Sequence, residues 1–86
     1  MISICQIRAA RSLLGWSANT LSKESDVGVA TIRRYEIQEG LPQGNFQKVI
    51  KIKNALESQG IEFTGDPLKN PGVILHLDKQ QSHDYN

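Results

Sequence analysis

Cys5, His76 and His83 are the side chains in this sequence best suited to nucleophilic or acid–base chemistry near neutral pH. Their spacing does not join them into a unit. Cys5 falls in the first turn of an expected helix, and the nearest histidine in sequence is His76, with no metal-ligand spacing between them. His76 alternates with apolar neighbours as a strand residue does, and His83 stands beside Asp84 in a polar tail. Gly60, Gly65 and Gly72 punctuate separate elements, so no glycine-rich phosphate loop is expected. The sequence shows no paired-carboxylate constellation. One cysteine makes neither an internal disulfide nor a multi-cysteine metal site. The expectation is a protein that is not an enzyme and needs no metal or cofactor.

The chain that must position these groups is short. Eighty-six residues make one small domain, burying only about 60–65% of its unfolded surface. That length excludes a two-domain enzyme, a barrel and a Rossmann sheet. With 38% hydrophobic and 22% charged residues, the composition is that of a folded domain and not of a disordered chain. No apolar run approaches the ~20 residues that cross a bilayer, and no secretory-type apolar segment opens the chain. The arginine-bearing N-terminus leads straight into a patterned domain, which argues against a transit peptide. The net charge of +1 hides an asymmetry. Residues 1–60 carry eight basic and five acidic side chains, and residues 61–86 carry two basic and four acidic ones.

Ser3-Ile4-Cys5-Gln6 reads as a capping box opening a helix over 4–14, with Ile7, Ala10 and Leu14 at helical spacing and Gly15 as its stop. Ser17 caps a second helix over 18–25, with Leu21 inward and Ser22 small enough for close packing. Asp26-Val27-Gly28 is a break. A third helix over 29–36 sets Ile32 and Tyr35 on one side and Val29, Ala30, Arg33 and Arg34 on the other. Residues 39–44 form a loop. Asn45 caps a fourth helix over 46–59, with Phe46, Val49, Ile50 and Leu56 as its expected buried stripe. Residues 61–64 alternate as a strand, 65–72 turn, and 73–77 form a second, strongly apolar strand. The units expected are therefore a helical domain over 1–60, a β-hairpin over 61–77 and a frayed tail over 78–86.

Ser17 to Glu36 is the most specific stretch. Two short helices flank a tight break, with Leu21, Val27 and Ile32 where the helices of a helix-turn-helix pack together. The outward face of the second helix is then free for a DNA major groove, which admits one helix.

At this level of detail the chain resembles the Cro and phage-repressor type of helix-turn-helix regulators, the XRE family. The resemblance runs through Gln6-Ile7-Arg8-Ala9-Ala10-Arg11, Leu14-Gly15-Trp16-Ser17, Leu21-Ser22, Val27 to Glu36, and Ala55-Leu56-Glu57. Gly60-Ile61-Glu62-Phe63 and Pro71-Gly72-Val73 resemble the strand appendage of a small bacterial subfamily. The fold implied is mainly α, a compact repressor-like domain of four to five helices followed by a short hairpin. The function implied is sequence-specific binding of double-stranded DNA as a transcriptional regulator of repressor type, in the cytoplasm at the nucleoid.

The resemblance also gives positions roles. Base contacts fall on Val29, Ala30, Arg33 and Arg34. A phosphate contact falls on the Ala18 position, and the residues themselves add Ser17, Gly28, Asn45, Lys48 and Thr31 as phosphate candidates, with a local cap as the alternative for Thr31. The family often has Gln where this chain has Ala18, which leaves the backbone N–H groups and the Ser17 hydroxyl to serve. Asp26 stands where a turn glycine is usual. Arg11 and Glu36 match a structural pair joining the first helix to the end of the third, and Trp16 takes a core position. An arginine at 33 or 34 suits a bidentate grip on guanine O6 and N7, and Val29 and Ala30 suit a thymine methyl.

One recognition helix buries little surface, so a homodimer on two half-sites is expected. Ile61, Phe63, Val73, Ile74, Leu75 and Leu77 are the expected dimerisation residues, since a lone two-stranded hairpin is marginal in water and leaves an edge. The alternatives are a hairpin that only covers a monomer's core, and an antitoxin or interaction module whose C-terminal part binds a protein partner.

Overall fold

In a computed structural model, residues 1–79 are described. They form four α-helices, α1 (Ile4–Leu14), α2 (Ala18–Ser25), α3 (Val29–Glu36) and α4 (Phe46–Glu57). Two strands, β1 (Ile61–Thr64) and β2 (Gly72–Leu75), and a 3-10 turn over Leu77–Lys79 follow. The fold is mainly helical with a C-terminal antiparallel hairpin, as the sequence predicts. Of the expected tail, residues 80–86 lie outside the described part.

The helix ends follow from local chemistry. The Ser3 N–H donates to Gln6 Oε1 at 2.9 Å, one arm of the expected capping box. Gly15 ends α1 at φ +69°, and the N–H of Trp16 reaches back to the Arg11 carbonyl at 3.0 Å. Ser17 Oγ accepts from the Thr20 N–H at 3.1 Å. Asp26 takes the left-handed conformation, φ 59°, where the resemblance puts a glycine. Ser22 does more than fit: its hydroxyl donates to the Val27 carbonyl at 2.6 Å and ties α2 to the turn after it. Asn45 Oδ1 accepts from the Gln47 N–H at 2.8 Å to start α4.

Helix α4 stops at Glu57, two residues before the expected end. The Ser58 N–H still bonds four residues back, to Asn54, but those of Gln59 and Gly60 bond three back, to Leu56 and Glu57, which tightens the chain into a turn. Its buried stripe is Val49, Ile52 and Leu56, at spacings of three and four. Ile50 is only half-buried, and Phe46, one turn before the stripe begins, is exposed.

The core unites Ile4, Ile7 and Ala10 of α1 with Leu21, Ile32, Tyr35, Ile52 and Leu56 of the other helices. Ile2 and Val27 join it from outside the helices.

Strand β2 begins one residue early and ends at Leu75, so the expected strand over 73–77 is shortened. Ile61 pairs with Leu75 and Thr64 with Gly72. Side chains alternate across a sheet. Ile61 is thus buried in the chain's own core, and Phe63, Val73 and Leu75 pack against it. These four expected dimer contacts are committed internally. Leu77 leaves the strand for the 3-10 turn, where it is exposed, as is Ile74 on the outer face.

Gln6 clamps the hairpin to α1. Its Nε2 donates to the carbonyls of Thr64 at 3.1 Å and Gly72 at 3.0 Å, while its Oε1 serves the Ser3 cap. Gly65 turns the hairpin at φ +75°, and a Cβ there would overlap the Asn70 carbonyl oxygen. Gly65→Ala should therefore cost about 1–3 kcal/mol, read as a lowered midpoint in chemical unfolding; an unchanged midpoint would show that this turn is not the hairpin's fixed point.

Candidate nucleic-acid interface

Helix α3 has two unlike sides. Ile32 and Tyr35 are fully buried against the core, and Thr31 joins them at 8% exposure. Thr31 lies one turn before Tyr35 on the same side of the helix. It is therefore withdrawn from the surface, which corrects its expected role at a phosphate. Ala30, Arg33 and Arg34 are exposed and Val29 is half-buried on the outer side. The only carboxylate of α3, Glu36, is turned away from that side toward Arg11. The outer face is thus cationic, with the small Ala30 between the two exposed arginines.

The two arginines are held differently. Arg33 Nη2 reaches Asn19 Oδ1 in the first turn of α2, at a long 3.5 Å. The Arg34 guanidinium lies over the Tyr35 ring, 5.9 Å from its centroid. The Tyr35 hydroxyl in turn reaches the Asn45 carbonyl at 3.5 Å, at the start of α4.

The end of α3 is locked to α1. Arg11 grips Glu36 with both forks, Nε to Oε2 at 2.8 Å and Nη2 to Oε1 at 2.7 Å, and its Nη1 donates to the Trp16 carbonyl at 2.8 Å. Hydrogen bonding to Glu36 raises the Arg11 pKa above its ordinary value, outweighing the opposite effect of burial. Arg8 adds a 2.8 Å bond to the Glu36 carbonyl, placing a cation at the negative end of the helix.

Of the expected phosphate contacts, Ser17, Gly28 and Asn45 are exposed, and Ala18 and Lys48 are half-buried. Gly28 precedes α3, and its carbonyl accepts from the Ile32 N–H at 3.1 Å. Ser17 and Asn45 spend their side chains as helix caps, which leaves backbone N–H groups of the first turns of α2 and α4 for an anion. Trp16 packs against the core, as its expected position requires.

Two of the side chains with catalytic potential, Cys5 and His76, lie elsewhere, and His83 lies outside the described residues. Cys5 is exposed at the start of α1, with Ser3 Oγ at 3.3 Å. His76 Nε2 sits 2.7 Å from Glu62 Oε1 on the outside of the hairpin. Among the described residues no cluster of three or more His, Cys, Asp or Glu is placed to hold a metal ion. No helix among them is long and apolar enough to cross a membrane.

Asn19 and Gln6 carry parts of this arrangement that sequence reasoning did not assign. Gln6 was legible only as a cap. Nothing in sequence links Asn19 to Arg33; only the packing of α2 across α3 brings them together.

No protein-family profile, curated protein or solved structure matches the chain.

Proposed function

We propose that the protein binds double-stranded DNA by sequence, with α3 in the major groove, as a cytoplasmic transcriptional regulator of the repressor-like helix-turn-helix type. One observation carries this reading. Helix α3 is pinned from behind by its core residues and by Arg11, while its outer face offers two exposed guanidinium groups and no carboxylate. A cationic helix held firmly to the core suits a groove lined with phosphates and base-edge acceptors.

The test is binding of labelled duplexes across a range of salt. About 4–8 phosphate contacts per dimer would give a log–log salt slope of about −4 to −7. Lys48→Ala should weaken selected and random duplexes equally and reduce that slope by about one per protomer, hence about two per dimer. A salt-independent affinity, or no affinity, would overturn the reading.

Two copies acting together would read two half-sites about one helical turn apart. The short hairpin, with its outer edges and the exposed Ile74 and Leu77, is the surface we assign to this pairing. Light scattering during size exclusion should give about twice the 9.6 kDa chain mass. A mass that stays at 9.6 kDa as concentration rises would defeat the dimer. The same two exposed apolar side chains, with Leu68 in the hairpin turn, favour a second reading in which this end binds a protein partner, as an antitoxin does. That role is compatible with DNA binding at α3.

A further inference from the structure

Arg33 and Arg34 are adjacent in sequence but are not equivalent. At 3.6 residues per turn they diverge by about 100° around α3. Arg33 leans toward the first turn of α2, where Asn19 Oδ1 accepts one of its N–H groups. Arg34 leans the other way, over Tyr35, on the flank where the Tyr35 hydroxyl meets Asn45.

We infer that Arg33 is the guanine-reading residue, that Asn19 is its positioning residue, and that Arg34 is a backbone-phosphate contact. This assignment rests on the DNA-binding reading above. A guanidinium has five donors in a fixed plane. Asn19 engages one at Nη2 and leaves donors for the O6 and N7 acceptors of guanine. A long, exposed arginine otherwise loses rotamer freedom when it docks, and a partner that restrains it beforehand lowers that cost. Ala18, one residue earlier, is too short to supply such an acceptor, so Asn19 is the residue of that turn that does. Arg34 has the geometry of a different task. Its charge lies over the ring of Tyr35, whose hydroxyl meets the Asn45 carbonyl just before α4, where a groove wall would bring phosphates.

The experiment uses the full chain with duplexes selected from a random pool, each also made with single base-pair changes. Arg33→Ala should erase the preference at one G·C pair, by about 5- to 150-fold. Asn19→Ala should relax the preference at that same pair by about 2- to 12-fold, with random-duplex affinity and the unfolding midpoint unchanged. Asn19→Asp retains an acceptor and should retain the preference, even as its charge lowers affinity for all duplexes. Arg34→Ala should weaken every duplex alike and reduce the salt slope by about one per protomer, hence about two per dimer. The assignment is overturned if Asn19→Ala leaves the preference intact or weakens all duplexes equally, or if Arg34→Ala erases a base preference. A wild-type chain that selects no sequence would instead bring down the DNA-binding reading itself, and this assignment with it.

Discussion

Replacing Arg33 and Arg34 together by alanine should cost about 2–5 kcal/mol of binding to a selected site, roughly 30- to several-thousand-fold per half-site. Random duplexes should lose far less, because only one phosphate contact is removed from them. The fold should hardly respond. Both side chains are exposed, and neither contributes to the core; surface changes of this kind stay within about 0.5 kcal/mol. Affinity and stability are thus expected to separate cleanly, and equilibrium binding beside chemical unfolding measures both. A double variant that keeps full site preference would contradict the assignment of the α3 face.

Arg11→Ala should show the opposite separation. It removes three hydrogen bonds and leaves Glu36, whose side chain is 11% exposed, without its cation. The expected loss is about 2–3 kcal/mol of stability, below that of a fully buried pair because solvent reaches the Arg11 side chain. In a domain of this size that is a large share of the total. Glu36→Ala should cost a similar amount. The double variant should cost less than the two single changes added, since each single change strands the other partner. Additive losses in chemical unfolding would mean that the pair does not act as a unit. DNA binding should fall only as far as the end of α3 loosens, because neither side chain lies on its outer face.

Much of this was legible in the sequence because local rules govern it. The two ends of α1 and the start of α2 follow from Ser3, Gly15 and Ser17, each of which satisfies backbone groups within its own turn, and the Asp26-Val27-Gly28 break separates α2 from α3. The two sides of α3 follow from helical spacing. What escaped depends on contacts between distant segments. Gln6 reads as a cap, yet its amide also holds Thr64 and Gly72, far along the chain. Thr31 reads as a surface hydroxyl, yet the buried arc of α3 is wide enough to include it. Phe46 reads as core because it falls in the apolar pattern with Val49 and Leu56, but it precedes the buried stripe of α4 and is exposed. The apolar hairpin residues read as sticky for a partner. A small domain needs such residues for itself, and Ile61, Phe63, Val73 and Leu75 complete the helical core. The Arg11–Glu36 pair was reached only through a family resemblance, and the geometry of the site carries it independently.

Selecting duplexes from a random pool with the wild-type chain tests the central claim most directly. The expected outcome is enrichment of one short motif containing an obligatory G·C pair, in two inverted copies whose centres lie about 10–10.5 base pairs apart. A pool that stays random through repeated rounds, at salt low enough for phosphate contacts to form, would contradict it.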